Sequence, residues 1–180
     1  MPVVRGKTID VLFSASAIAR RNLELAREIG ERDYDDLLVI SILKGSFIFA
    51  ADLIRAMHDI GLSPEVEFIF ISSYGAGTTS GEVKVLRDID NEVAGRDVLL
   101  IDDILESGKT LRFTRDLMQQ RGAKSVSIAV LLDKHNKRQT ELHADFVGFD
   151  CPDYFVVGYG MDVAHAFREL PFVGVVAGDA

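Results

Sequence analysis

Residues 98–111, VLLIDDILESGKTL, constrain this chain more than any other stretch. An apolar run ends in two adjacent carboxylates, Asp102 and Asp103; a turn over 104–108 follows, and a helix opens with Lys109 and Thr110. A strand that is apolar at every position, as 98–101 is, belongs in a sheet covered on both faces, and such sheets are built from parallel strands with helices on either side. The rest of the chain repeats the unit. Residues 16–29 read as an amphipathic helix, with Ile18, Leu25, Ala26 and Ile29 on one face and Gly30 as its stop. Leu37–Leu43 (LLVISIL) is a second buried strand; Ser46 then opens a helix through about Asp59 that Gly61 closes. Residues 65–72 and 82–87 alternate as strands around the glycine- and threonine-rich stretch 74–81, which makes that stretch the tip of a long hairpin. After the helix over 108–121 come further strands at 126–132, 155–157 and 173–176. The expected fold class is α/β, an open and mostly parallel sheet. In such sheets ligands sit beyond the C-terminal ends of the strands.

That rule directs attention back to Asp102 and Asp103. The amides of 106–110 face a turn with a helix N-terminus behind it, which suits a phosphate, and the hydroxyls of Ser107 and Thr110 add hydrogen bonds. The two carboxylates suit diol hydroxyls or a hydrated magnesium ion. A P-loop is excluded by spacing, because the first glycine of that motif would fall at Asp103. An ordinary strand-to-helix turn with solvated acids stays open on these residues alone.

Composition narrows the partners. A net charge of −8 argues against a nucleic-acid binder but not against small phosphorylated substrates held by backbone amides and a divalent cation. No apolar run is long enough to span a membrane, and Met1 to Asp10 carries Arg5 and Lys7 with no apolar stretch behind them, so neither an anchor nor a leader is expected. A lone cysteine, Cys151, excludes an internal disulfide and suits a cytoplasmic setting. His58, His135, His143 and His165 show no metal-ligand spacing. At 180 residues without repeats, one domain over 1–180 is expected.

The stretch VLLIDDILESGKTL resembles the motif that binds phosphoribosyl pyrophosphate (PRPP) in the type I phosphoribosyltransferases. Three further segments resemble the hypoxanthine-guanine phosphoribosyltransferases in particular: residues 42–47 (ILKGSF), residues 72–75 (SSYG) with the SGEVKVL that follows, and residues 147–149 through 157–162. Together they span nearly the whole chain in the family's order. The resemblance implies the type I phosphoribosyltransferase fold, with a small hood formed by the chain termini and a flexible hairpin loop. It implies a magnesium-dependent purine-salvage enzyme acting on PRPP and an oxopurine base, hypoxanthine and guanine, with nucleoside monophosphate and pyrophosphate as products. Its relatives are commonly dimers or tetramers, so a homodimer or homotetramer is implied as well.

Residue by residue, the resemblance implies a cis peptide and pyrophosphate contacts at Leu43, Lys44 and Gly45. It implies ribose and magnesium contacts at Asp102 and Asp103, and a 5′-phosphate site formed by Glu106, Ser107, Gly108, Lys109 and Thr110. Lys134 would donate to the purine 6-oxo group, Phe155 would stack on the base, and the backbone of Val156 would meet its 2-position edge. On pattern alone, core packing is the better account of Phe155 and Val156. Asp162 would hold a second magnesium, Arg168 would neutralise pyrophosphate, and Ser73 and Tyr74 would begin the mobile loop. The family usually has aspartate where this chain has Glu106, the implied general base for the purine N7 proton. Either the loop backs off to admit the longer acid, or the base interaction is altered. Two alternatives to the oxopurine enzyme stay open: a regulatory PRPP-binding module without transferase activity, and an adenine- or orotate-specific relative.

Overall fold

A computed structural model of the chain describes residues 1–73 and 83–177. Its main sheet has six strands: β3 (Leu37–Leu43), β4 (Glu65–Ser73), β5 (Val83–Arg87), β6 (Asp97–Leu105), β7 (Ser125–Asp133) and β8 (Phe146–Asp150). They lie in the order β5-β4-β3-β6-β7-β8, all parallel to their neighbours except the edge strand β5. The apolar runs explain this. In β3 the alternating residues Leu38, Ile40 and Ile42 share one core with Val98, Leu100 and helix α3 (Lys109–Gln120), while Val39 shares the opposite core with Leu99, Ile101 and helices α1 (Ala15–Gly30) and α2 (Phe47–Asp59). Successive side chains of a strand point to opposite faces, so a strand apolar at every position needs a helical layer on each.

A second, four-stranded sheet forms a hood over the C-terminal ends of the main strands. It joins β1 (Val3–Val4) and β2 (Lys7–Phe13) to β10 (Val173–Val176) and β9 (Val156–Val157), so both ends of the described chain build it. Ile9, Val157, Phe167, Leu170 and Val176 give it a small core of its own. Among the described residues no helix is long and apolar enough to cross a membrane.

Four details differ from the sequence reading. Strand β6 does not end at Ile101 but runs through both acids to Leu105, because Asp102, Ile104 and Leu105 continue the ladder with β7. Gly30 is the last helical residue rather than a stop, and Glu31 after it keeps right-handed helical backbone; a side chain at position 30 would collide with Ile60 of the segment after α2. Ser46 makes no side-chain cap on α2; its hydroxyl donates to the carbonyl of Ile42 and meets that of Ser41 at 2.9 Å. Strands β2 and β8 were not expected. KTIDVLF mixes polar and apolar residues, and FVGFD is short and interrupted by a glycine that lies against Leu131 of β7.

Candidate active site

The C-terminal ends of β3, β6 and β7 meet under the hood, and three adjoining cavities lie there with Ile104 in the wall of each. The first, about 220 Å³, is bounded by residues 42–45 on one side and 102–108 with Thr110 on the other. The Leu43–Lys44 peptide is cis, as the resemblance implied. Gly45 follows because a Cβ there would lie 1.9 Å from Oδ2 of Asp103. The backbone after β3 is therefore seated directly on the second of the paired acids. Across the cavity the chain turns at Ser107 and Gly108 into α3. Gly108 has φ +82°, a left-handed conformation that disfavours any residue with a Cβ, and Thr140 crowds it from outside. Ser107, Gly108 and Thr110 line this cavity; Lys109 is exposed and does not, and its amide donates to Ser107 Oγ at 3.3 Å.

The acids themselves are arranged for a positive partner. Asp102 accepts from the amide of Asp103 at 2.9 Å, and Asp103 from the amide of Ile104 at 2.8 Å. Burial, then repulsion from Asp103, pushes the Asp102 carboxyl well above the usual carboxylate range. Asp103 is raised as well, again by burial, with hydrogen bonds to Asp102 and the Ile104 amide, and lastly Arg168, pulling the other way. A buried and a half-buried carboxylate side by side repel one another, a cost that a divalent ion can relieve.

The second cavity, about 420 Å³, adds Asp162 and Arg168 from the hood to Lys44, Gly45 and Asp103. Arg168 Nη2 lies 3.0 Å from Asp162 Oδ1, and Nη1 donates to the carbonyl of Gly160 at 2.6 Å. Asp162 Oδ2 accepts from the amide of His165 at 2.7 Å. Both oxygens of Asp162 are thus engaged, and a metal ion there would share lone pairs with those donors. Lys44 Nζ stands 5.3 Å above the ring of Phe70. Ser73 ends β4, and Tyr74 lies outside the described residues.

The third cavity, about 470 Å³, lies between Glu106 and Lys134 on one wall and Phe155 and Val156 on another. Lys134 is buried, and its ammonium donates to the carbonyl of Tyr154 at 2.6 Å and stands 3.8 Å from Glu106 Oε1. The core reading of FVVGY holds for Val156, which is buried in β9, and fails for Phe155. That residue is 56% exposed at the cavity wall.

The structure adds residues that the sequence reading missed. Arg138 gathers the region: it donates to the carbonyls of Glu106 (3.0 Å), Lys134 (3.1 Å) and Leu142 (2.6 Å) and pairs with the Asp133 carboxylate. Lys137 and Asp153 stand on the rim of the third cavity, 3.1 Å apart. The cationic run after Asp133 in DKHNKR was the available signal, although nothing in it says which cation turns inward. His135 lies 3.8 Å from Asp133 and 3.5 Å from Asp150, a grouping across two strands that local spacing does not reveal.

The chain is similar to known proteins over most of its length. The model of the phosphoribosyl transferase domain family matches residues 9–164. The chain is 43% identical over 173 residues to hypoxanthine phosphoribosyltransferase of Escherichia coli (strain K12), covering 94% of this chain and 96% of the relative. It is 46% identical over 168 residues to hypoxanthine-guanine phosphoribosyltransferase of Bacillus subtilis (strain 168), covering 92% of each. A crystal structure of a hypoxanthine phosphoribosyltransferase from Staphylococcus aureus superposes with a TM-score of 0.86 at 39% identity, over 93% of this chain and 90% of that one.

Proposed function

The chain belongs to the phosphoribosyltransferase family, and from that membership we propose that it joins hypoxanthine or guanine to the ribose 5-phosphate of PRPP and releases pyrophosphate. One observation carries the choice of base: the Glu106 carboxylate and the Lys134 ammonium stand side by side at 3.8 Å on the wall of the third cavity, facing the exposed ring of Phe155. An oxopurine offers the complementary edge, an N7–H donor next to a 6-oxo acceptor, and its face stacks on an aromatic ring. Adenine offers a 6-amino group instead, donor against donor, and a site built for one pattern rejects the other strongly.

In the reaction the purine N9 bonds to the ribose anomeric carbon as the bond from that carbon to pyrophosphate oxygen breaks. The N7 proton passes to Glu106, acting as general base. Ser107, Gly108 and Thr110, with the amides at the start of α3, hold the 5′-phosphate. Asp102 and Asp103 accept from the ribose hydroxyls, and the amides at Lys44 and Gly45 with the guanidinium of Arg168 receive the pyrophosphate. The acid pair Asp102 and Asp103 fits magnesium, and Asp162 offers a second, shared position; the ion would neutralise charge developing on the leaving group. With one free buried thiol and phosphorylated substrates, the chain suits the cytoplasm.

Pyrophosphate release from PRPP in the presence of hypoxanthine tests this reading. It should need the base, stop on chelation with EDTA and return with magnesium. Release at the same rate without a base, or none with any purine, would overturn it.

A further inference from the structure

Glu106 is one methylene longer than aspartate, and the structure gives its carboxylate a second cation. Lys137 Nζ lies 3.7 Å from Glu106 Oε1, almost the same distance as Lys134 Nζ at 3.8 Å. The two ammonium groups are held apart by different anchors. Lys134 is buried and bonded to the Tyr154 carbonyl at 2.6 Å, whereas Lys137 is held by Asp153 Oδ1 at 3.1 Å on the rim of the same cavity. The main chain of Glu106 is fixed independently, through its carbonyl on Arg138 Nε at 3.0 Å. A carboxylate on a longer arm, facing Lys134 alone, would close onto that ammonium into a direct ion pair. Each group would then satisfy the other instead of the base edge.

We propose that Lys137 is a positioning residue for Glu106: it shares the carboxylate with Lys134 and so keeps acid and ammonium apart, both free toward the base cavity. This rests on the assignment of Glu106 and Lys134 to the purine edge. The role is one of placement and not of stability. Lys137 is 61% exposed, and exposed pairs at such distances add little to folding.

The test is steady-state kinetics of Lys137→Met with hypoxanthine, PRPP and magnesium, beside the unaltered enzyme. Misplacement of a general base by about an ångström is costly, so kcat/KM for hypoxanthine should fall about tenfold or more. KM for PRPP and Tm should stay unchanged, and Lys137→Arg, which keeps the cation, should restore most of the loss. In a Glu106→Asp background the carboxylate is retracted by about 1.5 Å, and Lys137→Met should then change kcat/KM less than about twofold. An unchanged kcat/KM in Lys137→Met overturns the inference, and so does an equal loss in both backgrounds or a fall in Tm that accounts for the loss. If the unaltered enzyme turns over no purine, the functional reading itself fails, a result distinct from any of these.

Discussion

With Glu106 as the proposed acceptor for the N7 proton, replacing it with alanine removes that acceptor but leaves the proposed phosphate cradle standing, since backbone amides, Ser107 and Thr110 build it. A general base contributes about two to four orders of magnitude, so kcat should fall at least a hundredfold while KM for PRPP changes little. An unchanged kcat would remove Glu106 from the chemistry. Gly45 makes a complementary case. Alanine there would place a Cβ 1.9 Å from Asp103 Oδ2, and relief must come from moving either the acid or the backbone proposed to face the pyrophosphate. Gly45→Ala should raise KM for PRPP about tenfold or more with the fold intact by circular dichroism; wild-type KM would show that this seating is irrelevant. At this scale the sequence is legible where residue type and motif coincide. Lys44, Asp102, Asp103 and Lys134, singled out by motif, line the cavities at the strand ends. Lys109 is outside because its position on α3 turns it to solvent, and Lys137 and Arg138 were missed because only the turn after β7 decides which way each side chain points.

Strands and helices follow from physical causes of different range. The bounds of β3 could be read directly, since a run apolar on both faces begins and ends where burial does. The reach of β6 could not, because its last residues are held by pairing with β7, a partner distant in sequence. Asp97 shows what such pairing requires. It is buried at the start of β6 and accepts from the Ser125 hydroxyl at 2.6 Å and the Asp35 amide at 2.7 Å, with Lys124 at 3.7 Å, stapling the start of β7 and the approach to β3. Burial raises its carboxyl, but these partners more than offset that and leave it below the ordinary carboxylate range. A depressed folded value means stabilisation that is full above the unfolded pKa, near 3.9, and lost as pH falls through the folded one. Asp97→Asn should therefore be about 1–2 kcal/mol less stable at pH 7, a gap that denaturant titration should see shrink below about pH 4. A gap that persists undiminished at pH 2 would contradict this.

For the molecule as a whole, the hood is the part the residues disclosed least. β2 and β10 are far apart in the chain, and neither has a strong enough pattern to announce the other. Yet the hood completes the site, because it carries Phe155, Val156, Asp162 and Arg168 onto strand ends supplied by the main sheet. Net charge is reconciled with phosphate chemistry in the same way: a chain at −8 concentrates amides, Lys44, Arg168 and an acid pair suited to magnesium at one end of its sheet. The central claim is that this end joins an oxopurine to PRPP. Product formation with PRPP and magnesium, offering hypoxanthine, guanine, xanthine and adenine in separate reactions, tests it most directly. The account predicts the nucleoside 5′-monophosphate from hypoxanthine or guanine and none from adenine. Turnover of adenine, or binding of PRPP without turnover of any base, would contradict it.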